Sequence, residues 1–234
     1  MTNCGKRPGR EPAASGWKQA AVLAAGLILT AGFAAAPSRA EPAPPPIALT
    51  QQDRADLQRI AAYLNGITTM YARFDQYSAH GGTAAGQVWM ERPGRMRFEY
   101  NPPSPILLIA DRFYVYYIDK QLAEMQKVGL KSTPAWLLLR DPITFDDLIV
   151  TSLVRAADRL QVTLVEKEHP NGGSLTMYFS EKPLALRQWT IVDAQRRTTT
   201  VTLAGQQFGM ALDPTLFVYQ DPFASGRRAI DDNR

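Results

Sequence analysis

The sequence predicts an α+β fold, mainly β: a strongly curved antiparallel sheet forming an incompletely closed barrel, with helices stopping its open side. Two observations carry this. Apolar and polar residues alternate at a period of two in about ten segments separated by Gly, Pro and Asn turns, whereas only two or three segments carry the helical period. A twisted sheet of that many strands curls, and so few helices cover one face only. The chain has 234 residues, 45% of them apolar, which allows one sizeable core and excludes a fibrous or disordered polymer.

The first forty residues read as a cleaved secretory signal. A basic start leads into the uncharged stretch Ala20 to Ala36, and Ser38-Arg39-Ala40 places small residues before a cleavage point at Glu41. An uncleaved anchor is the rival, but an alanine-rich stretch of that length makes a poor permanent span. Five of the 26 basic residues (Lys6, Arg7, Arg10, Lys18, Arg39) and one of the 22 acidic ones (Glu11) lie here, so the remainder carries equal numbers of each sign. No net positive field is left, and nucleic acid is not an expected partner. Cys4, the one cysteine, leaves with the leader. The exported domain must therefore hold together by apolar packing and hydrogen bonds alone.

Residues 41–49 hold four prolines and form a stiff extended lead-in. Thr50 then caps a helix with Asp53 at N3, and Leu57, Ile60, Ala61, Leu64 and Ile67 give it one apolar face ending near Asn65-Gly66. Period two follows. Met70, Ala72, Phe74 and Gln76 share one face of a first strand; Val88, Met90 and Arg92 share a face of the second; Met96, Phe98 and Tyr100 share a face of the third. Ile106 to Ala110, Phe113 to Ile118 and Leu122 to Val128 continue the sheet. Pro134 at N1 behind Thr133 opens a short helix, Ala135 to Leu139, apolar almost all round. A helix without a polar face is either buried on both sides or a movable cover. Ile143 to Leu153 reads as one more helical turn. Strands follow at Leu160 to Glu166, Leu175 to Phe179, Leu184 to Asp193 and Thr198 to Leu203, then an edge strand at Leu216 to Tyr219. A loose polar tail over 221–234 ends the chain.

Catalytic signals are weak. His80 and His169 both sit in turn contexts, no G-x-S-x-G elbow exists, and the exported domain has neither cysteine nor a His-x-x-x-His pair. No enzyme activity, cofactor or metal is expected.

These residues resemble the LolA family, the outer-membrane lipoprotein carrier proteins of Gram-negative bacteria. The likeness runs over about residues 50 to 220. It rests on Phe74-Asp75-Gln76, on the stretch Gly86 to Tyr100 with its Arg92-Pro93-Gly94 turn and basic-aromatic strand, and on Pro103. Ile109-Ala110-Asp111 before Tyr114 to Tyr117, Thr133-Pro134 before the apolar helix, and Pro183-Leu184 to Gln195 extend it. The resemblance implies a half-barrel with a helical lid, whose apolar cavity carries lipoprotein acyl chains across the periplasm without catalysis. It assigns the lid to Trp136, Leu137, Leu138 and Leu139. It makes Arg92 the residue that reaches lid carbonyls as a latch. Phe98 stands where the family often has tryptophan, and Asp111-Arg112 where Asp-Gly is frequent.

Alternation independently puts Arg92 beside Val88, Met90, Met96 and Phe98, where a guanidinium needs acceptors such as carbonyls at a helix end. Met70, Phe74, Val88, Met90, Met96, Phe98 and Tyr100 are the expected acyl-chain wall, although filled core is the ordinary fate of such residues. By the resemblance, the partners are acylated lipoproteins, an inner-membrane ABC-type release complex, and an outer-membrane receptor or the outer membrane itself. A monomer suffices. The rivals are a carrier or sensor of other lipids or glycolipids, and an enzyme using Arg92, Tyr100 or Glu99 on an apolar substrate.

Overall fold

The computed structural model describes residues 45–79, 81–133, 135–193 and 195–219. The expected signal peptide, the first residues of the lead-in, His80, Pro134 and the polar tail lie outside the described residues.

Thr50 starts the first helix, α1 (Gln51–Asn65), by the reciprocal cap expected from its sequence. Its hydroxyl accepts from the Asp53 N–H at 3.1 Å, and the Asp53 carboxylate accepts from the Thr50 N–H at 2.7 Å. Leu57, Ile60 and Leu64 are buried against the sheet. Tyr63 fixes the helix over one half of it, accepting from the Leu186 N–H at 3.1 Å and packing edge-on to Phe179.

Among the described residues, eleven strands follow: β1 (Thr69–Ser78), β2 (Thr83–Glu91), β3 (Arg95–Tyr100), β4 (Ile106–Asp111), β5 (Tyr114–Asp119) and β6 (Glu124–Gly129), then, after helix α2 (Ala135–Leu139), β7 (Leu148–Ala156), β8 (Arg159–Glu166), β9 (Gly173–Glu181), β10 (Leu184–Asp193) and β11 (Thr198–Phe208). They form one open antiparallel sheet in the order β6-β5-β4-β3-β2-β1-β11-β10-β9-β8-β7. Pairing of β1 with β11, Phe74 opposite Leu203, joins two meanders that are distant in sequence. The sheet is bent. Phe98 on β3 and Trp189 on β10 are four strand positions apart, about 19 Å on a flat sheet at ~4.8 Å per strand. Their ring centroids lie 6.4 Å apart.

The concave side holds the main core, where Ile60 and Leu64 of α1 meet Met70, Phe74, Val88, Phe98, Val162 and Met177. Phe74 packs edge-on to Phe98 and Tyr100, with centroids at 4.9 and 5.1 Å. Gly86, opposite both Phe74 and Tyr100 across the ladders, leaves room for these rings; a Cβ there would lie 2.8 Å from Phe74 Cε1. A smaller cluster on the convex side joins Leu107, Ile109, Tyr116 and Ile118.

Two expectations are corrected. Within Ile143 to Leu153, expected to hold a helical turn, the residues from Leu148 onward belong to strand β7, and those before it form a loop with a turn at Phe145 to Leu148. Ile149, Val150 and Thr151 favour a strand, and a register shift between Val150 and Ser152 breaks the period-two pattern that would have revealed it. The edge strand expected at Leu216 to Tyr219 is instead a 3-10 turn, Pro214–Phe217, because Asp213 accepts from the Thr215 N–H and Pro214 is set at its start. From there the chain crosses the convex face. Arg97 donates to the Leu216 carbonyl at 3.3 Å, and Tyr219 stacks on Tyr116 at 4.5 Å.

Candidate functional site

Arg92 stands just past the end of β2, on the concave side with Val88 and Met90. Its Nε donates to the Ile67 carbonyl at 2.7 Å, and Nη2 donates to the carbonyls of Leu64 and Ile67. Nη1 reaches the Arg140 carbonyl, just beyond α2, at 3.4 Å. One side chain thus bridges two helix C-terminal regions, where carbonyls lack intrahelical donors and the dipole favours a cation. Burial pulls the Arg92 guanidinium below its ordinary pKa, an effect that Asp141 partly opposes.

The hairpin after Arg92 adds a second tie, since the Gly94 N–H donates to the Leu139 carbonyl at 2.9 Å. Gly94 has φ +79, and a Cβ there would lie 2.7 Å from Arg112 Cα, so the turn excludes other residues. Beyond α2, the buried Arg140 binds the Asp147 carboxylate at 2.6 Å and the Thr144 carbonyl. That hydrogen bond, before any other effect, holds the Asp147 carboxyl below its usual range. Asn65, the last residue of α1, exchanges two hydrogen bonds with Ile143, at 3.0 and 2.8 Å. The segment running from α2 to Asp147 is therefore held by polar groups at several points.

Among the described residues, two narrow crevices border α2. One crevice, about 20 Å³, is bordered by Met70, Val88, Met90, Met96, Leu138 and Trp189 among others, with Arg92 at its edge. A second, about 30 Å³, lies against Trp136, Leu137 and Arg140. Each has room for about one water. Of the expected acyl-chain residues, Met70, Val88, Met90 and Met96 line the first crevice. Phe74, Phe98 and Tyr100 border neither crevice and are packed together in the core. Of the α2 residues, Leu139 is fully buried, while Trp136, Leu137 and Leu138 are half-buried.

The three polar residues of the enzyme reading have separate partners. Glu99 accepts from Arg97 at 3.0 Å, on the face opposite Tyr100. The Tyr100 hydroxyl donates to Gln76 Oε1 at 2.8 Å, and burial raises its pKa. Arg92 is committed to carbonyls. Sequence reasoning missed Trp189 and Tyr63 as crevice walls, and Asn65 and Arg140 as ties. Only Arg140 carried a signal, as the first charge after five apolar residues.

The description "Outer membrane lipoprotein carrier protein LolA" belongs to a family model that matches residues 65–220. An outer-membrane lipoprotein carrier protein of Chromobacterium violaceum is 26% identical over 172 residues, covering 70% of this chain and 82% of its own. One of Pseudomonas aeruginosa is 26% identical over 179 residues, covering 73% and 86%. Among solved structures, a LolA superfamily protein from Nitrosomonas europaea aligns at 6% identity and TM-score 0.43, over 70% of this chain and 97% of its own. Because the family model spans more than half of the sequence, this chain belongs to the LolA family of outer membrane lipoprotein carrier proteins.

Proposed function

We propose that this protein is a periplasmic carrier that takes lipoprotein acyl chains into a half-barrel interior, with α2 as its lid, and transfers them from the inner to the outer membrane. The observation that carries the reading is the tie from Arg92 to carbonyls of Leu64, Ile67 and Arg140 above a methionine-lined apolar wall. A filled core needs no such guanidinium, whereas a reversible closure needs a polar contact that can break and leave its partners in water. Met70, Met90 and Met96 suit a wall that repacks around chains of differing shape.

Magnitudes support a closed empty state. Holding one chain of about sixteen carbons in water costs on the order of 10 kcal/mol at ~0.8 kcal/mol per methylene. A carrier offsets most of that cost yet must bind more weakly than its acceptor. Closing α2 onto the sheet in the empty state satisfies the same apolar surface and so lowers the net affinity. The cycle has no catalytic step. Its donor is an inner-membrane ABC-type release complex, and its acceptor is an outer-membrane receptor or the outer membrane itself. Native mass spectrometry of the protein taken from cells that produce it is the test. Adducts matching acylated cysteine-bearing peptides support the reading; adducts of free lipid alone, or of a chemically altered small molecule, contradict it.

A further inference from the structure

Among the described residues, the large apolar side chain most open to solvent is Phe113, at 72%, on the turn between β4 and β5, with Tyr114 beside it at 41%. The backbone that displays it is tied down. The N–H groups of Phe113 and Tyr114 both donate to Asp111 Oδ1, at 3.1 and 2.9 Å. The Leu130 N–H donates to the Phe113 carbonyl, and the Arg112 N–H to the Gly94 carbonyl, each at 2.8 Å. The ring is therefore held outward on a fixed turn. Exposed cations lie on the turn and on the elements next to it. Lys127 Nζ lies 3.6 Å above the Tyr114 ring centroid, Lys131 Nζ lies 5.5 Å from that of Trp136 on α2, and Arg112 is exposed next to Phe113. Asp111, the acid of the turn, also accepts from the Tyr116 hydroxyl at 2.9 Å.

We infer that this turn docks the protein on an anionic phospholipid bilayer, Phe113 entering the headgroup layer while Arg112, Lys127 and Lys131 meet lipid phosphates. A protruding turn with a single ring does not offer the ~800 Å² per partner of a specific protein interface. A bilayer interface accepts an aromatic ring at headgroup depth, and each cation near an anionic surface adds about a five-fold gain in partitioning. The Gly94 bonds to Arg112 and to Leu139 place the turn at the same end of the sheet as α2. On the carrier reading, on which this consequence rests, docking would bring the lid against the bilayer that receives the acyl chain.

The test is co-sedimentation of periplasm-derived protein with vesicles of phosphatidylglycerol and phosphatidylcholine, or of phosphatidylcholine alone. The protein should sediment with the anionic vesicles. Binding should fall about tenfold or more in Phe113→Ser, in the double variant Lys127→Gln/Lys131→Gln, and at high salt. Binding of a fluorescent acyl probe, measured alongside, should be unchanged, which shows that the variants are folded. Phe113→Ser sedimenting like the wild type would overturn the inference, as would wild-type protein that binds the probe yet ignores anionic vesicles. Vesicle binding without probe binding would instead overturn the carrier reading and leave the docking surface standing.

Discussion

Arg92 concentrates the site's chemistry in one side chain. Its planar fork serves carbonyls on two elements at once, which a lysine's single ammonium does with poorer geometry. Replacing it with leucine removes the tie and extends the apolar wall. Arg92→Leu should therefore bind an acyl probe at least as tightly as the wild type, while handing lipoprotein to an acceptor much more slowly. Arg92→Lys should fall between. A purified transfer assay checks both, and a normal handover rate for Arg92→Leu would refute the closure role. The inward direction of Arg92 was legible because alternation along a strand needs no knowledge of the rest of the chain. Its acceptors were not. Leu64 and Arg140 lie 28 and 48 residues away, and only the fold brings them near.

At the scale of elements, α1 is pinned to the sheet's far edge by an ion-pair cluster. Arg155 on β7 donates from Nη2 to Asp53 at 2.7 Å and from Nε to Asp56 at 2.6 Å, with Arg59 also on Asp56 at 2.7 Å. The hydrogen bonds from Thr50 first, then Arg155, lower the Asp53 pKa to about 2. Burial alone would raise that of Asp56, but bonds from Arg155, Gln52 and Arg59 outweigh it, and the net shift is downward. Carboxylates depressed in the folded state stabilise it above their unfolded pKa, and that stabilisation is lost as pH falls from about 4 toward 2. Thermal unfolding followed over this window should show the wild type losing stability more steeply than Arg155→Met. At neutral pH, Arg155→Met should cost about 1–3 kcal/mol, below the 3–5 of a fully buried pair, because Arg155 is 38% exposed. In the sheet, Gly86→Ala should destabilise by about 1–3 kcal/mol, since the new methyl meets the Phe74 ring and the Glu99 carbonyl. Chemical denaturation measures that cost. Elements with an intact period, α1 and the strands of the first meander, could be read from sequence. A bulge hid β7, and a side-chain cap at Asp213 turned an apparent strand into a 3-10 turn.

At the scale of the whole molecule, a sheet open between β6 and β7 is bent until its two halves share one core. The number of strands and the scarcity of helices made the curvature legible. The join between β1 and β11, and with it the identity of the opposing wall around Trp189 and Leu186, was not, since it pairs segments about 130 residues apart. The crevices bordering α2 measure only about 20 and 30 Å³, so the carrier reading requires the α2 side to open. Two tryptophans make this measurable. Trp189 borders the crevice below α2, whereas Trp89 alternates with the buried Val88 and Met90 and packs with Tyr71 on the other face. With Trp136 also replaced, exported proteins whose one remaining tryptophan is Trp189 or Trp89 can be titrated with an acyl chain brominated near its end, a short-range quencher of indole fluorescence. The expected result is saturable quenching of Trp189 and an unchanged Trp89. A chain that binds while leaving Trp189 as bright as before would show that it never enters the fold.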